Sequence, residues 1–134
     1  EVPAPGVQGA APADGARFGE VVQLLGATVD TGGDTWTVDL LWAWLASPPE
    51  THHYFVHVVG PDGEMLAQQD GPLPQGGSAG DMARQRVRLA FEQGVPAAAR
   101  VYVGVYRPGD RVRLPLVVAG EAVPDGRFLA LALP

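Results

Sequence analysis

Arginine and tryptophan carry the chemistry this sequence offers. Arg84, Arg86 and Arg88 alternate with Gln85, Val87 and Leu89. In a strand, three guanidinium groups then leave one face while the apolar set leaves the other. Arg111 and Arg113 alternate in the same way with Val112, Leu114, Leu116 and Val118. Guanidinium is a planar, permanently charged fork suited to carboxylates, phosphates and lipid head groups. The plainer reading is a solvated sheet face balanced by carboxylates such as Asp39 or Glu92, in a chain whose 9 basic residues are all Arg. That reading requires a carboxylate within salt-bridge reach of the 84–88 row. Without one, an anionic lipid head group becomes the expected partner.

Trp36, Val38, Leu40, Trp42 and Trp44 fall on one face of the stretch 36–44, opposite Thr37, Asp39 and Ala43. Such a stripe is either the core face of a sandwich strand or an aromatic platform for a pyranose ring. Trp36 and Trp44, at the strand ends, are the two that reach the rim on the second reading. Tyr102 and Tyr106 could join them.

The remaining reactive side chains assemble into nothing catalytic. His52 and His53 are adjacent and point to opposite faces, and His53 and His57 stand four apart, a helical rather than a strand spacing for metal ligands. Asp30-Thr-Gly-Gly-Asp34 lacks the third oxygen ligand and distal Glu of a calcium loop, and has the residues of a turn. Asp62, Asp110 and Asp125 also fall in turns. The sequence has no His-Glu-x-x-His and no phosphate-cradling glycine loop before a helix. Ser47 and Ser78 have no evident base. No catalytic residue, metal site or cofactor is assigned.

Turn chemistry organises the elements. Tyr54-Phe-Val-His-Val-Val-Gly-Pro-Asp-Gly63 runs into a second short strand and an Asp70-Gly-Pro72 stop. Pro61 presets φ, and Asp62-Gly63 tolerate the reversal of a β-hairpin. Arg107-Pro-Gly-Asp-Arg111 repeats the device. Strands are expected at roughly 19–29, 35–45, 53–60, 64–69, 84–91, 100–107, 111–118 and 127–133. Only Ser78 to Arg86 leaves room for a short helical turn. Strands 53–60 and 100–107 are apolar on both faces, as central strands are. These spacings predict an all-β fold, an antiparallel β-sandwich of about eight strands, immunoglobulin-like or jelly-roll, with Trp42, Val87, Leu89, Val103 and Leu114 in its core. Residues 1–16 are rich in Ala, Pro and Gly and read as a linker, and residues 17–134 as the sandwich domain.

Composition bounds the partners. The 134 residues suffice for one domain with a real core, and the absence of Cys removes disulfides and thiolate chemistry. A net charge of −6 argues against nucleic acid. The absence of Lys, Ile and Asn fits a GC-rich genome or a thermophile. No apolar run is long enough to span a bilayer. A start at Glu1 rather than Met suggests a piece of a longer polypeptide.

The order of the motifs is itself informative. Phe18-Gly-Glu-Val-Val-Gln-Leu-Leu-Gly26, Leu40-Leu-Trp-Ala-Trp44, Tyr54 to Gly63, Ala67-Gln-Gln-Asp-Gly-Pro72, Val101-Tyr-Val-Gly-Val-Tyr-Arg107 and Arg113-Leu-Pro-Leu-Val117 follow one another. In that order they resemble the β-sandwich domain appended to the membrane region of bacterial, Chloroflexi-like, dolichyl-phosphate-mannose-type glycosyltransferases, over about residues 17 to 133. The resemblance implies a non-catalytic accessory module of a membrane glycosyltransferase or envelope protein, extracytoplasmic and tethered to the membrane domain of the same polypeptide. The alternative is a carbohydrate-binding module using surface aromatics. One stretch departs from that family: Leu73-Pro-Gln-Gly-Gly-Ser-Ala-Gly-Asp81 stands where a Trp-containing Tyr-Pro-Thr-Ser loop is usual.

Overall fold

In a computed structural model describing residues 7–10, 16–47, 51–74, 78–92 and 94–133, the chain is an antiparallel β-sandwich. Its strands are β1 (Val7–Ala10), β2 (Ala16–Phe18), β3 (Val22–Asp30), β4 (Thr35–Trp44), β5 (His53–Val59), β6 (Met65–Pro72), β7 (Met82–Ala90), β8 (Ala99–Tyr106), β9 (Leu116–Val118), β10 (Glu121–Val123) and β11 (Phe128–Leu133). The larger sheet runs β10-β9-β2-β3-β4-β7, with β1 also on β3, and the smaller runs β11-β8-β5-β6. The β4–β7 and β5–β8 pairs each skip two strands and lie in opposite sheets. This interlocked crossing ties the two sheets of the sandwich together.

The alternation that predicted the faces also builds the core. Trp36, Val38, Leu40 and Trp42 of β4 and Val87 and Leu89 of β7 are buried against Val56, Val58, Val101, Val103 and Val105 of the smaller sheet. Trp42 packs edge-on against Phe18, and Trp36 against Phe91. Gln85 also points inward. It accepts from Trp42 Nε1 at 3.2 Å and donates to the Pro72 carbonyl at 3.2 Å, bridging the two sheets. All five core residues named from sequence are buried.

Four expectations need revision. The strand expected at 19–29 is two: Gly19 takes φ +58, Val21 N–H donates to Phe18 O at 3.3 Å, and the chain folds β2 back on β3. The strand expected at 111–118 is mostly a loop, and only Leu116–Val118 pairs as a strand. Arg111 N–H donates to Arg107 O at 2.7 Å, curling the chain before it can extend. In place of the short helical turn that Ser78 to Arg86 left room for, Asp81 N–H donates to Ser78 O at 3.0 Å in a turn with Gly80 at φ +93, and Met82–Ala90 pairs with Thr35–Ala43. Within the segment read as linker, Val7–Ala10 pairs with Ala27–Asp30, which four residues without proline allow. The rest of that segment, 1–6 and 11–15, lies outside the described residues, as do 48–50 in the Ser47 turn, 75–77 in the departing loop and Gln93.

Candidate functional site

Buried on both faces, β5 turns Tyr54, Val56 and Val58 to the core and His53, Phe55 and His57 outward. Register aligns the outward set with its neighbours. Phe55 lies between Asp70 and Gly104, His57 between Gln68 and Tyr102, and His53 between Pro72 and Tyr106. An outward Phe and His in a buried strand need a cover, and the loop after β8 supplies it. The Arg113 guanidinium sits 5.0 Å from the Phe55 ring centre, and that of Arg127 sits 4.3 Å from the Tyr102 ring centre. Gly104 is required here. A Cβ at that position would lie 2.0 Å from Phe55 Cζ, so only glycine lets the ring cross the strand.

Between this loop and β6 is a cleft of about 480 Å³, lined by Phe55, His57, Gln68, Gln69, Asp70, Tyr106, Arg111 and Arg113. Hydrogen bonds hold its walls. The Tyr106 hydroxyl donates to Asp70 Oδ2 at 2.6 Å and lies 3.3 Å from His53 Nδ1. With the phenolic proton given to Asp70, that Nδ1 must be the donor. The bond to Asp70 raises the Tyr106 pKa, keeping the phenol protonated. Arg127 Nη1 is 3.4 Å from His57 Nδ1, so Nδ1 is the acceptor and the ring proton belongs on Nε2. Burial, and then the charges of Arg113 and Arg127, lower the His57 pKa to about 4. The imidazole is neutral at physiological pH.

Arg113 is steadied by Nη1 donating to the Asp125 carbonyl at 3.1 Å. Arg111 is held through its backbone. Its φ of +59 is strained for a residue with a Cβ. The Arg107–Asp110 ion pair at 2.9 Å and the Val112 N–H donating to Asp110 Oδ1 at 3.1 Å brace the loop around it. Gly109, the residue suited to such a φ, does not use it. The Arg111 side chain has no hydrogen bond or ion pair among the described residues. Arg111 and Arg113 therefore face Asp70 across a polar cleft floored by aromatic rings, in a chain of net charge −6.

The residues singled out from sequence are not gathered here. Trp36 is 1% exposed and Trp44 8%, so neither offers a ring to a sugar. An inward stripe on a strand with a facing sheet is core, and the stacking reading fails for the tryptophans. Their Nε1 groups have no hydrogen-bond partner among the described residues, whereas Trp42 has Gln85. Arg84, Arg86 and Arg88 are exposed on the outer face of the larger sheet. Asp39, opposite Arg86 in register, accepts from its Nε at 2.9 Å, which is the carboxylate the solvated-face reading requires. Sequence reasoning took Asp70 for part of a turn and Arg111 and Arg113 for a strand face. The overlooked signal was the double-sided apolar pattern of 53–60, whose outward Phe55 and His57 demand a cover, opposite a glycine in 100–107.

No protein-family model and no curated protein matches the chain. Among solved structures it is similar to part of a Bacteroides uniformis beta-glucuronidase, at 13% identity and TM-score 0.48 over 84% of this chain and 12% of that one. It is also similar to part of a glycosyl hydrolase family 2 member from Bacteroides cellulosilyticus, at 9% identity and TM-score 0.49 over 92% of this chain and 16% of that one. A third is a bacterial adhesin from Mobiluncus mulieris, at 12% identity and TM-score 0.41 over 85% and 53% of the two chains. The chain thus spans only a small fraction of the first hydrolases it matches.

Proposed function

We propose that this domain is a non-catalytic, saccharide-binding accessory module of a larger envelope polypeptide, with the cleft between β6 and the 107–114 loop as its binding site. The observation that carries this is the convergence of planar polar groups over an aromatic floor: Gln68, Asp70, Tyr106 and Arg111 stand around Phe55 and His57. Sugars are recognised by such groups, because vicinal hydroxyls need donors and acceptors side by side and C–H faces need apolar surface. Recognition here rests on hydrogen bonding in a cleft rather than on a flat tryptophan platform. The ordered motifs from Phe18 to Val117 support a tethered, extracytoplasmic place beside a membrane glycosyltransferase domain.

Isothermal titration of the 134-residue chain against a panel of neutral and acidic oligosaccharides tests the reading. Binding to at least one of them is expected, and Asp70→Ala should abolish it while leaving the circular dichroism spectrum unchanged. A panel without any binder overturns it.

A further inference from the structure

Within that reading, on which this inference rests, the cleft has a polarity. We propose that its ligand is an acidic sugar, a ring bearing one carboxylate and free hydroxyls, with the carboxylate held by Arg111 and Arg113 and a hydroxyl donating to Asp70.

Three observations carry the proposal. The first is charge placement. Two arginines line one cleft of a chain carrying −6, while Arg127 is committed to His57, to the Tyr102 ring and, at 3.6 Å, to Asp125. The second is the strain at Arg111. A non-glycine residue at φ +59 is uncommon, and nothing among the described residues uses the side chain it presents. Strained backbone that projects an uncommitted cation into a cleft is a feature of binding sites. The third is the opposite wall. Asp70 gives one oxygen to Tyr106 and keeps the other, and the Gln68 side chain has no partner among the described residues. A carboxylate there repels a ligand charged all round and accepts from hydroxyls. Inorganic phosphate satisfies the arginines and meets Asp70 badly, and a neutral sugar satisfies Asp70 and leaves two guanidinium groups without an anion. A ring with an anion at one end and hydroxyls at the other meets both.

The test is titration of the chain with methyl galacturonoside, with its carboxyl-reduced neutral counterpart, methyl galactoside, and with inorganic phosphate, at about 50 mM and 300 mM salt. The acid should bind at least about tenfold more tightly than the neutral sugar, the advantage of one charge-assisted bidentate contact, and the margin should shrink at the higher salt. Arg111→Gln should bring the acid's affinity down to that of the neutral sugar, whereas Arg84→Gln, on the far sheet, should change neither. Equal affinity for the acidic and neutral sugars overturns the acidic-sugar proposal and leaves the saccharide reading standing. Phosphate binding as tight as that of the acid overturns the proposal in favour of a plain anion site. Failure to bind any sugar in the wider panel removes the saccharide reading itself.

Discussion

At the scale of single residues, Gly104 and His57 set the terms for the cleft. Gly104 is a glycine because Phe55 lies across it, with ring carbons 2.0 and 2.4 Å from where a Cβ would stand. The ring cannot tilt freely, since the Arg113 guanidinium lies over it. Gly104→Ala should therefore destabilise the fold by about 1–3 kcal/mol in urea unfolding, the usual cost of overpacking. In a double-mutant cycle Phe55→Ala should relieve most of that cost. Additive effects of the two changes would show that the close approach is not the constraint. His57 predicts a pH dependence. Its folded pKa of about 4 lies below the ordinary 6.5, so on acidification the unfolded chain takes up this proton first. The stabilisation is complete above about pH 6.5 and is lost as the pH falls toward 4. The expected loss is about 2 kcal/mol after allowance for solvent at the cleft mouth. His57→Gln, which keeps a neutral amide at that position, should flatten the profile over that window.

At the scale of elements, β7 shows why a row of like charges need not signal a ligand. It is the edge strand of the larger sheet, and its arginines alternate with Gln85, Val87 and Leu89. Charged side chains on a long edge strand discourage pairing with a second copy. The Arg86–Asp39 pair is exposed, with side chains 63% and 43% accessible. Pairs of this kind contribute little, because water screens them and two long side chains must be held still. Asp39→Asn should accordingly shift the midpoint of thermal unfolding by no more than the equivalent of about 0.5 kcal/mol at physiological salt. A loss of several times that would make the pair a structural strut. The 107–114 loop behaves differently: its return is held by Arg107 N–H to Val112 O at 3.0 Å and Leu114 N–H to Val105 O at 2.8 Å. Those bonds fix where Arg111 and Arg113 project.

At the scale of the molecule, two sheets are joined by an apolar interior and by a half-buried polar bridge. Gln85 satisfies the Trp42 indole and the Pro72 carbonyl together, linking β7 of one sheet to the end of β6 in the other. Gln85→Leu keeps the volume and removes both bonds, leaving a donor buried without a partner. The expected cost is about 1–3 kcal/mol by chemical denaturation. A neutral or stabilising result would mean that water takes over both groups.

Fold class was legible in the amino-acid order because a strand's periodicity is local. Successive side chains leave opposite faces, so Trp36 to Trp44 and Arg84 to Leu89 declared their two sides without reference to any neighbour. The Pro61-Asp-Gly63 reversal was legible for the same reason, and Gly63 takes the positive φ of +83 that such a turn needs. What alternation cannot say is which of two apolar faces meets the other sheet and what covers the second one. That depends on register between strands distant in the chain. Only the assembled sheets placed Phe55 between Asp70 and Gly104, brought Arg113 over that ring, and gave the strained backbone to Arg111 rather than Gly109. Whether the tryptophans formed a core or a platform was settled by the same fact. A stripe is a surface until another layer packs on it, and here the second sheet does.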